Sequence, residues 1–124
     1  MRNKEIIAVV DNDESVRMSL DSLLRSSGYS VHTYASAHEF LFSDGPEAAS
    51  CLISDIQMPV MDGIKMYEVL SALGFHIPVI FITGNPDAQR PISAGAMKPI
   101  AFFPKPFSTE KLLECIEMAL SRCN

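Results

Sequence analysis

Four apolar runs constrain this chain more than anything else in it: Ile6-Ile7-Ala8-Val9-Val10, "CLIS" at 51–54, "PVIFI" at 78–82 and "IAFF" at 100–103. A strand with one wet face alternates apolar and polar residues. A run without alternation suits a strand covered on both faces. The segments between the runs carry a different spacing. Val16, Leu20, Leu23 and Leu24 recur as on one side of a helix, and Gly28 follows as a stop. Ser30–Tyr34 reads as a second, weaker strand, 37–43 as a short helix holding Phe40 and Leu41, and "SDGPE" at 43–47 as a turn. Met66, Val69, Leu70 and Leu73 mark a further helix before Gly74. Leu112, Leu113, Ile116, Ala119 and Leu120 form the stripe of a last one, with Ser108 as N-cap and Glu110 in its first turn. Strands alternating with helices predict an α/β fold, a parallel sheet with right-handed crossovers and helices on both faces. Pro86, Pro91 and Pro99 with Gly84 and Gly95 leave room for only a short or irregular fourth helix between strands four and five.

The chain has 124 residues, which suits one domain over 1–124. Its 10 lysines and arginines stand against 15 acids, a net charge of −5. No basic cluster is present to neutralise phosphates, which argues against direct nucleic-acid binding by this segment. Cys51, Cys115 and Cys123 show no CxxC or metal spacing. Cys51 and Cys115 read as core filling, and an odd count without a framework fits a reducing, cytoplasmic setting. The start, "MRNKEIIAVVDND", resembles neither a signal peptide nor a membrane span. No output domain is expected within these residues.

In a sheet of this kind, functional groups gather beyond the carboxyl ends of the strands. Strand one ends in Asp11-Asn12-Asp13, strand three in Asp55 and strand four in Thr83, and Lys105 follows strand five. Neighbouring strands would bring these groups to one crevice. Carboxylate oxygens in small number suit Mg²⁺, which keeps some of its waters. A lysine and a hydroxyl beside it would contact an anion. A phosphoryl group carried on a carboxylate fits every part.

The segments "VVDNDESVR" (9–17), "LISDIQMPVMDG" (52–63), "VIFITG" (79–84) and "FFPKPF" (102–107) resemble, in order and spacing, the receiver domain of two-component response regulators, closest to the FixJ-type subgroup. The resemblance covers essentially the whole length. It implies a flavodoxin-like, doubly wound five-stranded parallel sheet of order 2-1-3-4-5. It also implies that Asp55 is the phosphoacceptor, taking a phosphoryl group from a histidine kinase. Asp11, Asn12, Asp55 and the backbone carbonyl of Gln57 would surround Mg²⁺. Asn12 stands where the family usually has a directly ligating acid, so metal binding should be weak. Asp13 should point into the first helical turn. Lys105 would pair with the phosphoryl oxygens, Thr83 would reach it by its hydroxyl, and Phe102 would change rotamer in response. A cis bond is expected at Lys105–Pro106. Gly63 should permit an unusual backbone approach.

The chain is thus expected to act as a switch rather than an enzyme. Its partners would be a histidine kinase and, through the face of the fourth helix and fifth strand, an output domain or a second receiver copy. No membrane partner is implied. Pro91 and Pro99 suggest that this face is atypical. A degenerate receiver acting as a phosphate-independent interaction module is a second reading, favoured by Asn12. A third is a haloacid-dehalogenase-type phosphatase using Asp11. A flavin site fits less well, because the first loop presents acids where a phosphate cradle would be needed.

Overall fold

A computed structural model describes residues 5–84 and 99–122. The sheet contains β1 (Ile6–Val10), β2 (Ser30–Tyr34), β3 (Cys51–Asp55), β4 (Val79–Thr83) and β5 (Ala101–Pro104). The helices are α1 (Glu14–Ser26), α2 (Ala37–Leu41), α3 (Gly45–Ala48), α4 (Gly63–Ala72) and α5 (Thr109–Arg122). Every strand pair is parallel, and the order is β2-β1-β3-β4-β5. The fourth helix expected between strands four and five, with Pro86, Pro91 and Gly95, lies outside the described residues, as does Cys123.

The unbroken apolar runs have the physical cause expected of them. Alternate residues of β1, β3 and β4 feed two separate cores, one on each face. Ala8, Val10, Leu52, Val79 and Phe81 pack with Phe40 of α2 and with Ile64, Met66, Tyr67 and Leu70 of α4. Ile7, Val9, Cys51, Ile53, Ile80 and Ile82 pack with Leu20 and Leu24 of α1 and with Leu112, Ile116, Ala119 and Leu120 of α5. The edge strands are less fully buried. Polar His32 and Thr33 can therefore face solvent in β2. Phe102 packs on the first core and Phe103 on the second, so each belongs to a different side of β5.

Three local expectations need correction. The 43–47 stretch is not a plain turn: α3 begins at Gly45, where Pro46 occupies its first turn and Ala49 N–H closes on Gly45 O at 2.8 Å. Proline fixes a helical φ and loses nothing at a helix start, because that N–H has no intrahelical acceptor. Leu73, expected within the helix before Gly74, instead caps α4 and is 64% exposed, while Ile64 and Tyr67 fill the places inward. The fourth strand starts at Val79 rather than Pro78, whose missing N–H cannot join the ladder.

Tyr67 is buried, edge-on to Phe81 with ring centroids 5.9 Å apart. Its hydroxyl has no hydrogen-bond partner among the described residues. A buried donor left unpaired costs about 1–3 kcal/mol. Tyr67→Phe keeps the ring and removes the orphan group, so it should stabilise the fold by roughly 1 kcal/mol or more in a denaturant titration. A loss of stability would show that the hydroxyl has a partner after all.

Candidate functional site

The strand ends converge as their order requires. Asp11 follows β1 directly and is 0% exposed, and Asp55 closes β3 at 6%. Thr83 closes β4 and is buried, in line with Val79 and Phe81 on the first-core face. The loop beyond β5 is stitched back by Lys105 N–H donating to Thr83 O at 2.7 Å. The Lys105–Pro106 bond is cis. From there Lys105 Nζ reaches Asp11 Oδ2 at 3.2 Å and Asp55 Oδ2 at 3.5 Å. One ammonium group thus bridges two buried carboxylates, the three groups coming from three separate stretches of chain.

The β1–α1 loop is closely tied. Asp11 N–H donates to Tyr34 O at 3.1 Å, and its Oδ1 accepts from Asp13 N–H at 2.8 Å. Asp13 turns its own carboxylate into the helix start, accepting from Ser15 N–H at 2.9 Å. It therefore caps α1, as expected of it, and does not enter the pocket. Asn12, between them, is exposed at the mouth. Two contributors carried no assigned role in the sequence. Arg17 Nη1 donates to Asp11 O at 2.7 Å, and Ser54 Oγ donates to Asp55 O at 2.8 Å. Arg17 had a legible signal, a cation in the first turns of the helix following an acidic strand end. Ser54 had none beyond its polarity within an apolar strand.

The β3–α4 loop folds tightly against the strand it leaves. Gly63 N–H donates to Ile56 O at 2.8 Å. A Cβ on Gly63 would stand 2.2 Å from Asp55 O. The expected special role of Gly63 is therefore close approach rather than a positive φ. The positive φ in this loop falls on Val60, at 73°, with its side chain 92% exposed. A β-branched residue rarely adopts that conformation, which costs about 1–3 kcal/mol.

Phe102 is half-buried and stacks on Phe81, with centroids 5.4 Å apart and planes 23° from parallel. It lies beside the Thr83 end of β4 through the Phe81–Phe102 register. Gln57 is exposed and gives the Asp55 carboxylate a backbone hydrogen bond. The seven expected site residues therefore lie toward one edge of the sheet, with Lys105 in contact with both Asp11 and Asp55.

Burial pushes the Asp55 carboxyl above its ordinary value, and the negative charge of Asp11 adds to this. Lys105 and the Gln57 hydrogen bond oppose it. Among the described residues there is no cluster of three or more His, Cys, Asp or Glu able to hold a metal. Two carboxylates with amide and carbonyl oxygens nearby still form an all-oxygen donor set. Such a set suits a hard cation that keeps several waters, such as Mg²⁺. Two like charges sharing one lysine also leave the pocket short of positive charge.

Residues 7–117 match the family described as response regulator receiver domain. Response regulator protein TmoT from Ectopseudomonas mendocina is 44% identical over 120 residues, covering 94% of this chain and 53% of TmoT. The solved structure of response regulator StyR superposes with a TM-score of 0.86 at 44% identity, covering 96% of this chain and 60% of that one. The structure of FixJ-N superposes with a TM-score of 0.81 at 33% identity, covering 98% of this chain and 96% of that one. The chain thus spans about half the length of curated relatives such as TmoT. No described helix is long and apolar enough to cross a membrane.

The raised Asp55 value sets a pH dependence. A carboxyl that holds its proton more tightly when folded contributes stability fully below the ordinary carboxylate range. That contribution is lost as pH rises through the raised value. In chelator, Asp55→Asn should melt above the wild type at neutral pH, and the gap should close on acidification. Equal melting temperatures across that range would show that Asp55 is not held at an electrostatic cost.

Proposed function

The chain belongs to the response regulator receiver domain family, and on that premise we propose that it is a phosphoacceptor switch in which Asp55 takes a phosphoryl group from the phosphohistidine of a kinase. The observation that carries this reading is the Lys105 ammonium lying 3.2 Å from Asp11 and 3.5 Å from Asp55. An Asp55 oxygen attacks phosphorus in line, an O–P bond forms, and the P–N bond to the kinase imidazole breaks. Burial and the neighbouring Asp11 keep the Asp55 carboxylate basic and hence nucleophilic. Lys105 stays beside it to neutralise the equatorial oxygens, and positioning and charge do most of the work in this chemistry. Asp11, Asp55, the Gln57 carbonyl and the Asn12 amide are the groups that would hold Mg²⁺. When bound, the metal supplies the positive charge that one lysine cannot.

Thr83 is the hydroxyl placed to meet the new phosphoryl group at the end of β4, and Phe102 is the ring that follows it. The change would then reach the outer surface beside β5, where an output domain or a second copy could read it. Relatives about twice as long as this chain, and the name transcriptional regulatory protein borne by FixJ from Azorhizobium caulinodans, support a role in controlling transcription through a further domain. A phosphatase using Asp11 as its nucleophile is disfavoured, because it leaves Asp55, buried at the end of β3 beside the same Lys105, without a role.

Asn12, exposed and uncharged at the pocket mouth, favours the second reading of a phosphate-independent interaction module. Intact mass after incubation with acetyl phosphate and Mg²⁺ separates the two. The switch reading expects one labile phosphoryl adduct, lost in Asp55→Asn and strongly reduced in Lys105→Ala. An unmodified wild type would leave the module reading standing.

A further inference from the structure

Each polar group of Asp11 except one has a fixed partner outside the pocket. Its N–H is held by Tyr34 O, its Oδ1 by Asp13 N–H, and its carbonyl by Arg17. Only Oδ2 faces the pocket, where it meets Lys105. The Arg17 bond differs from the others in kind. It is charge-assisted and short, at 2.7 Å, and partly withdrawn from water. It also spans six residues, so it closes a ring around Asn12 and Asp13.

We infer that Arg17 is a positioning residue for divalent-cation binding: by holding the Asp11 carbonyl it fixes the 11–12 peptide plane and with it the aim of the Asp11 carboxylate. The inference rests on the reading of this pocket as a phosphoacceptor site. Turning that peptide plane would carry the Asn12 side chain away from the mouth and shift the Asp13 N–H that orients Oδ1. The device matters here because Asn12 is neutral. A carboxylate at that place would be drawn toward a cation over several ångströms, whereas an amide is not. Pre-set backbone geometry has to replace that attraction. A partner that orients a ligand in this way is commonly worth about 10- to 100-fold in metal affinity.

The sign of the effect separates positioning from a mere surface charge. A bystander cation beside the pocket repels Mg²⁺, so deleting it would tighten binding. A positioning residue weakens binding when it is deleted. The test is titration of the ¹⁵N-labelled chain with Mg²⁺ alone, read at the amides of Asp11, Asn12 and Asp13. Arg17→Met should weaken Mg²⁺ binding about tenfold. Arg17→Lys, which keeps the charge and one donor, should recover part of the loss. Unchanged or tighter binding in Arg17→Met would overturn the inference, as would a wild type whose Asp11 amide does not respond to Mg²⁺. If Arg17→Met loses its folded spectrum, Arg17→Gln decides: weaker binding than the wild type supports the inference, and equal or tighter binding overturns it. Failure of the wild type to form a phosphoryl adduct would sink the phosphoacceptor reading, and the titration would still judge Arg17.

Discussion

Two carboxylates buried side by side and sharing a single ammonium group are the constraint around which this structure is arranged. Like charges withdrawn from water raise the energy of the folded state. They stay in place only because the surrounding chain is held firmly. The apolar runs of β1 and β3, covered on both faces, supply that firmness. Asp11 and Asp55 are the residues at which those runs reach the edge of the sheet. The hydrophobic effect forms the strands, and the strands hold the charges together. On the proposed reading, the unfavourable charge pair is what would make the pocket receptive to a cation and to the phosphoryl group such a cation accompanies.

The sequence made the fold legible because its dominant signal was a simple one. A strand buried on both faces has to be largely apolar without alternation, as 6–10 and 78–82 are throughout and 51–54 is but for Ser54. The receiver-domain reading, with the FixJ type among its kin, is borne out by the family match and the superpositions. Errors arose where tertiary context overrode a local signal. Leu73 kept the helical spacing but fell one residue past the end of α4, where the chain turns outward. The Ser-Asp-Gly-Pro stretch looked like a turn because each residue favours one, yet proline in the first turn is equally compatible with α3.

The candidate site was legible as a set of positions and not as a set of bonds. The strand ends named Asp11, Asp55, Thr83 and Lys105, and the structure gathers them at one edge. The sequence could flag Arg17 and Gly63 as residues of interest, but not the partner each one meets. The Arg17 bond to the Asp11 carbonyl, the Gln57 backbone hydrogen bond to Asp55 and the close seat of Gly63 on Asp55 O depend on loop conformation alone. Asn12 is the departure with the largest physical consequence, since it removes a formal charge from the pocket mouth. Lys105 lies slightly nearer to Asp11 than to Asp55. It therefore serves as counter-charge to both carboxylates.

A crystal structure of this chain grown with Mg²⁺ and beryllium fluoride, a mimic of the phosphoryl group, would show whether Asp55 accepts that group. Beryllium is expected on an Asp55 oxygen, with Lys105 Nζ and the Thr83 hydroxyl on the fluorides and Mg²⁺ beside Asp11. Electron density for the mimic elsewhere, or an Asp55 carboxylate left bare with Lys105 still bridging it to Asp11, would contradict the account.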